Sequence, residues 1–228
     1  REAPDVLGFG SKVAQEAGVL YLLDACQSTG QLPIDVDAIG CDVLCATGRK
    51  FLRGPRGTGF LYASDRATAE LEPFPLDLHS ATWESDGYTV HPGARRFEYW
   101  ERSYATLLGL GAAVDYALDL GIDAIAERID DLATHAREAL AAIAGVTVRD
   151  RGVRRSGIVT FTHDDISAAD LVTYIKSAGI NVSLSTPDYA RRNFDGHDIV
   201  GLVRVSPHVY NTTEEIDRLV DTVIRSSR

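Results

Sequence analysis

Methionine is absent from these 228 residues, and lysine nearly so: Lys12, Lys50 and Lys176 stand beside 20 arginines. Positive charge is written as arginine almost everywhere, so each lysine is a position to be explained. Cysteine is scarce too. Cys26, Cys41 and Cys45 lie in apolar, strand-like stretches, and their odd number without CxxC or Cys/His spacing argues against a metal site or a disulfide framework. They fit reduced structural thiols of a cytoplasmic protein. No apolar run reaches the ~18 residues of a membrane-spanning helix. A basic surface is lacking: the net charge of −10 disfavours a nucleic-acid partner. No G-x-G-x-x-G follows the first strand, which removes the generic dinucleotide-binding reading. The opening "REAPDVLGFGSK" has neither a starting Met nor the order of a signal peptide, so the expectation is the later part of a longer protein.

What remains is a globular composition, 45% hydrophobic and 25% charged. "VLYLLDA" (19–25) is an apolar run closed by an acid, the pattern of a buried parallel strand with Asp24 at its carboxyl end. "CDVLCAT" (41–47) repeats it and leads to Lys50. "GTGFLYAS" (57–64) reads as a third strand, and residues 65–104 as mostly irregular. Two helices follow, the first ending at Gly121 and the second running over 122–144. The remainder alternates short strands ("GVTVRD", "GIVTFTH", "INVSLS", "LVRVSPH") with helices, the last capped by Thr212 or Thr213. The expectation is an α/β parallel-sheet segment over 1–104, then a linking helix and a small α+β domain over 105–228.

In open parallel sheets ligands gather beyond the carboxyl ends of the strands, where Asp24 and Thr47–Lys50 both fall. A lysine there can lose its proton through desolvation and attack a carbonyl; a guanidinium stays charged. An acid at a neighbouring strand end needs a partner, and a cationic ring nitrogen would be one. Lysine for an aldehyde and aspartate for a pyridinium is the pairing pyridoxal phosphate requires. Gln27 could bond a ring oxygen, and Thr47 with Arg49 a phosphate. Taken singly, each of these residues also has an ordinary structural explanation.

The stretch "LLDACQSTGQLPIDVDAIGCDVLCATGRKFLRGPRGTGFLY" resembles the cofactor core of the class V aminotransferase and cysteine desulfurase-like enzymes, whose pattern is D-x-x-Q, about 20 residues, then S-x-H-K and a Gly/Pro-rich turn. Weaker similarity runs through "RRFEYWERSYATLLGLGAAVDYALDLGID" to "RVSPHVYNTTEEIDRLV". The resemblance implies the C-terminal part of a type I PLP-dependent transferase fold: part of the mixed, mostly parallel sheet of the large domain, plus a small α+β domain. It implies that Lys50 forms the Schiff base with pyridoxal 5'-phosphate, that Asp24 pairs with the ring nitrogen and that Gln27 contacts the phenolic oxygen. Thr47 takes the position of the family's phosphate-binding serine, Arg49 that of its histidine, and Arg204 that of the arginine gripping the substrate carboxylate.

Three departures shape the functional expectation. "NVSLSTPDYARRNFDGH", where cysteine desulfurases carry a nucleophilic thiol, has no cysteine. Arg49 replaces histidine, a wording similar to the C–S lyases of ergothioneine biosynthesis and their relatives. "EYWERS" stands where many relatives have Gly-Thr against the neighbouring subunit's phosphate; Glu101 would repel it, with Arg102 or Ser103 as possible substitutes. The expected activity of the intact protein is a C–S lyase or desulfurase-like lyase without a persulfide cysteine, acting on an amino acid such as an S-substituted cysteine. The alternatives are a class V aminotransferase or epimerase, and a non-catalytic remnant used for dimerisation or binding. A cytoplasmic homodimer without nucleic-acid or membrane partners is expected. His79, His91, His135, His163, His197 and His208 show no metal spacing and read as surface or capping residues, although His208, four after Arg204, could line a substrate site. "ERIDDLATHAREAL" reads as a solvated charged face.

Overall fold

A computed structural model describes residues 6–152, 154–194 and 199–227. The chain divides into two compact units, 1–122 and 123–228. In the first, helix α1 (Val6–Glu16) leads to strand β1 (Leu22–Asp24), the one-turn helix α2 (Val36–Ile39) and β2 (Val43–Thr47). Strand β3 (Gly59–Ala63) completes a three-stranded sheet of order β1-β2-β3. β1 runs parallel to β2, with Asp24 opposite Cys45, and β3 runs antiparallel to β2, with Gly59 opposite Thr47. The ends of β1 and β2 therefore point the same way, as their twin apolar-then-polar pattern predicts.

β1 differs from expectation in burial: Leu22 is 59% exposed, because among the described residues β1 hydrogen-bonds only to β2 and forms the sheet edge. The stretch 65–104 is also more ordered than expected. It holds α3 (Asp65–Glu70), the hairpin β4 (Ala81–Glu84) and β5 (Gly87–Val90), and a 3₁₀ turn over Ala94–Phe97. The side chains of the hairpin are mostly exposed, which leaves little hydrophobic alternation in its sequence. Helix α4 (Tyr104–Leu120), capped by the Ser103 hydroxyl and closed at Gly121, groups with this first unit.

The second unit carries α5 (Ile122–Ala141) over nearly its whole length, then β6 (Val146–Val148), β7 (Val159–His163), α6 (Ala168–Ser177), β8 (Ser183–Ser185), α7 (Pro187–Phe194), β9 (Leu202–Val205) and α8 (Thr213–Ser226). Its sheet has the order β6-β7-β9-β8 and is antiparallel throughout. Alternation along β7 and β9 turns Val159, Phe161, Val203 and Val205 inward, where they meet Leu132, Leu140, Leu171, Ile175 and Leu219 from α5, α6 and α8. Arg137, on the helix face expected to be solvated, is buried and paired with Asp150 at 2.7 Å. The 3.6-residue period places it on the same side as Ala133 and Leu140, so its charge needs an internal partner.

Candidate active site

The first unit brings Asp24, Cys26, Gln27, Thr47, Arg49 and Lys50 to the carboxyl ends of β1 and β2. The backbone between β1 and α2 is a tight turn, in which the N–H groups of Ser28 and Thr29 bond the Ala25 carbonyl at 3.1 and 2.9 Å. Gly30, at φ 87°, presses this turn onto the segment after Lys50; a Cβ there would lie 2.7 Å from the Leu52 nitrogen and from the Phe51 carbonyl carbon. Only glycine permits that approach. Phe51 and Leu52 are buried, while Lys50 beside them is half-buried.

The loop after β2 is closed by its own hydrogen bonds. The Gly48 N–H donates to the Thr58 carbonyl at 2.9 Å, the Gly54 N–H to the Gly48 carbonyl at 2.7 Å and the Arg53 N–H to the Lys50 carbonyl at 2.9 Å. Gly48 is held close by Thr58 and by Leu110 of α4, with no room for a side chain. Lys50 is thus carried on a braced turn. The Thr47 hydroxyl donates weakly to the Thr58 carbonyl at 3.4 Å, and Arg49 is exposed, with no ion pair among the described residues.

Asp24 is exposed at its strand end, and its Oδ1 accepts the Cys26 N–H at 2.9 Å. Its carboxyl is held below the usual carboxylate range, chiefly by the Cys26 side chain, then by that N–H; burial opposes, and the Lys50 charge adds a smaller pull downward. Asp24 is therefore ionised and within electrostatic reach of Lys50, which the shared end of the sheet led one to expect. Cys26 departs from the sequence reading. It and Cys45 are half-buried and Cys41 is buried, and the Cys26 N–H bonds the carboxylate of the candidate site. Its position two residues after an acid at a strand end, where an Asx turn forms, was the available signal.

Arg204 lies on β9 in the second unit, opposite Thr160 and Ser183. Val203 and Val205 face the core, so alternation sends Arg204 to the other face. Its Nε donates to Ser206 Oγ at 3.0 Å, and burial alone lowers the guanidinium's pKa below its ordinary value. The other phosphate substitutes weighed from the sequence are used locally: Arg102 pairs with Glu98 at 3.0 Å, and Ser103 caps α4. His79, His163 and His208 are buried, against the surface reading. His79 packs edge-on to Trp100 and His208 stacks on Tyr210, so each ring is covered by an aromatic neighbour. His135 bonds exposed Asp217 at 2.7 Å, and His197 lies outside the described residues. Among the described residues no His/Cys/Asp/Glu cluster could hold a metal, and no single helix is long and apolar enough to cross a membrane.

The model of the class V aminotransferase family matches residues 5–219, and the chain belongs to that family. A probable cysteine desulfurase of Methanothermobacter thermautotrophicus is 34% identical over 225 residues, which cover 96% of this chain and 56% of that protein. The cysteine desulfurase CsdA of Escherichia coli superposes with a TM-score of 0.86 at 26% identity, over 97% of this chain and 55% of that one. The apo cysteine desulfurase of Thermococcus onnurineus superposes with a TM-score of 0.88 at 24% identity, over 97% and 56%, a likeness of fold. The mixed α/β architecture is thus that of these enzymes, and the chain spans about half the length of the relatives it matches.

Proposed function

We propose that the intact protein is a pyridoxal 5'-phosphate-dependent enzyme that acts on an amino acid and cleaves a C–S bond, with an S-substituted cysteine as substrate. The observation that carries this reading is the pair at the ends of the parallel strands β1 and β2: an exposed Asp24 opposite Cys45 where β1 ends, and a half-buried Lys50 on the turn just past the end of β2. The donor set fits the cofactor. An ionised Asp24 is the acceptor a protonated ring nitrogen needs, Lys50 is the amine an aldehyde needs, and exposed Arg49 with the weakly engaged Thr47 hydroxyl can take a phosphate. Gln27, three residues after Asp24, is the residue that would bond the phenolic oxygen. Arg204, desolvated and lightly tethered, suits a substrate carboxylate through its two-pronged guanidinium.

The bound cofactor supplies the electron sink that makes the substrate's α-proton acidic. Lys50, released as a free amine, takes that proton at Nζ and returns it to product. Asp24 keeps the ring nitrogen's proton in place. Loss of the β-sulfur as a thiol, followed by hydrolysis, leaves pyruvate and ammonia. No residue of this chain has to carry the sulfur, and the segment 181–197 contains no cysteine. Three unpaired thiols suit a cytoplasmic enzyme, and a homodimer completes the proposal.

The test uses the intact protein beside Lys50→Ala with added pyridoxal phosphate. A visible band that borohydride fixes covalently to Lys50, and that the variant lacks, supports the cofactor assignment; its absence supports a binding remnant instead. Pyruvate and ammonia formed from an S-substituted cysteine support the lyase. Amino transfer to an oxo acid, or inversion at the α-carbon, supports a class V aminotransferase or an epimerase.

A further inference from the structure

The turn that carries Lys50 is closed by Arg53, whose N–H donates to the Lys50 carbonyl at 2.9 Å. Among the described residues Arg53 is the one non-glycine residue at positive φ, 60°. L-residues rarely adopt that left-handed conformation, whereas glycine takes it freely. A long cationic side chain kept at such a place calls for a use. It finds one on α4: the guanidinium carbon of Arg53 lies 4.8 Å from the centre of the Tyr116 ring, over its face and within cation–π range. The same side of α4 meets the rest of the loop. Leu110 abuts Gly48 and Gly54, where a Cβ would lie 2.6 and 3.0 Å from its Cδ1. Gly109 abuts Pro55, which a Cβ on residue 109 would approach to 2.9 Å. Ala113 lines a hollow with Leu52, Arg53 and Tyr116. Positions 109, 110, 113 and 116 recur at helix spacing, so one stripe of α4 seats the lysine loop.

We propose that Arg53 is a positioning residue for Lys50: its contact with Tyr116 clamps the lysine turn to α4 and so fixes where Nζ stands beyond the end of β2. The consequence for catalysis rests on the reading of Lys50 as the amine that meets the aldehyde; the clamp itself does not. The turn is gripped from two sides. Gly30, after β1, presses on Phe51 and Leu52, while α4 holds Gly48, Gly54, Pro55 and Arg53. The glycine and proline contacts fix the loop's ends and middle by close approach. Arg53 acts on the closing residue of the turn itself, through the bond to the Lys50 carbonyl. A lysine that must return to the same atom in every cycle needs its backbone held, because its own stem is long and flexible. Arginine suits the clamp, since a guanidinium pairs well with an aromatic face. Arg53 touches neither substrate nor reacting atoms in this account and works only through Lys50.

Two measurements test this on the intact protein. The first needs no cofactor: acetylation by sulfo-NHS acetate, followed by mass spectrometry, with Lys12 and Lys176 as references in the same samples. Arg53→Gly and Tyr116→Leu should each speed Lys50 modification by about threefold while the two references keep their rates. Tyr116→Phe, which keeps the ring, should label like wild type. A wild-type rate in Arg53→Gly would show that the backbone turn alone matters, and one in Tyr116→Leu that the ring is idle. Either result overturns the proposal whether or not the protein binds pyridoxal phosphate. The second compares the Tyr116 variants after loading with pyridoxal phosphate. Leucine should move the pH midpoint of the visible band and lower kcat more than it raises KM, while phenylalanine returns both to wild type. A midpoint and kcat unchanged in Tyr116→Leu would equally sink the idea. The labelling response without any visible band in wild type would uphold the clamp and refute the cofactor reading.

Discussion

The two units dispose of their hydrophobic surface in opposite ways. In the second, both halves of the packing are present: inward residues of β7 and β9 meet α5, α6 and α8, and Phe161, Leu140, Leu171, Ile175 and Val223 are fully buried. In the first, the buried cluster around β1 and β2 is small, centred on Ala25, Ile39, Leu44 and Ala46, while Phe74 (93%), Trp83 (83%) and Leu108 (75%) stand exposed. Yet the candidate lysine and its acid, Lys50 and Asp24, lie in the first unit. A polar strand end, a braced turn and a lysine need backbone hydrogen bonds and close approach more than they need bulk. The lesson is that packing energy and reactive geometry are separable in this chain, and substitutions should separate them experimentally.

Lys50→Arg breaks the comparison most sharply. Arginine keeps the charge but cannot act as a free amine, so turnover of the intact enzyme should fall by about a thousandfold or more. The urea unfolding midpoint should hardly move; a collapse of stability would show that Lys50 is structural. Phe161→Ala is the mirror experiment. Deleting a fully buried ring from the second unit should cost about 3–5 kcal/mol, read as a lower urea midpoint, while the visible band keeps its position. Loss of the band at concentrations where the protein is still folded would show that the two functions are not separable.

Arg137→Ala comes next. It removes the partner of Asp150 and strands a carboxylate of low exposure, for an expected loss of about 2 kcal/mol. Thr212→Ala, at the α8 capping box, should cost about 1 kcal/mol. The same box predicts a pH effect. Glu215 is held below the usual glutamate range, first by the Asn211 side chain and then by the Thr212 N–H. Its contribution is therefore complete above the ordinary glutamate pKa and is lost as pH falls through the depressed value. Thermal unfolding of Glu215→Gln should converge with that of wild type on the acid side; a constant gap at every pH would contradict the assignment.

What the sequence determined by itself is what periodicity and punctuation encode. The apolar runs ending at Asp24 and at Thr47 gave two parallel strands with their polar ends together. The threonine-led acidic turn gave α8 its cap, and a lysine beyond a strand end in an arginine-biased chain marked the candidate position. Such features are local, since a strand end or a cap is set by residues within a few places of it. Other features were decided only in three dimensions. The edge exposure of β1 depends on which strands flank it. The burial of Arg137 depends on an acid 13 residues away and on the helix face turned inward. The seating of the turn after β1 on Phe51 and Leu52 depends on a glycine without a Cβ, more than 20 residues away in sequence. Contacts between distant residues carry no periodic signature, so only folding could show that the turn after Asp24 seats on the segment after Lys50.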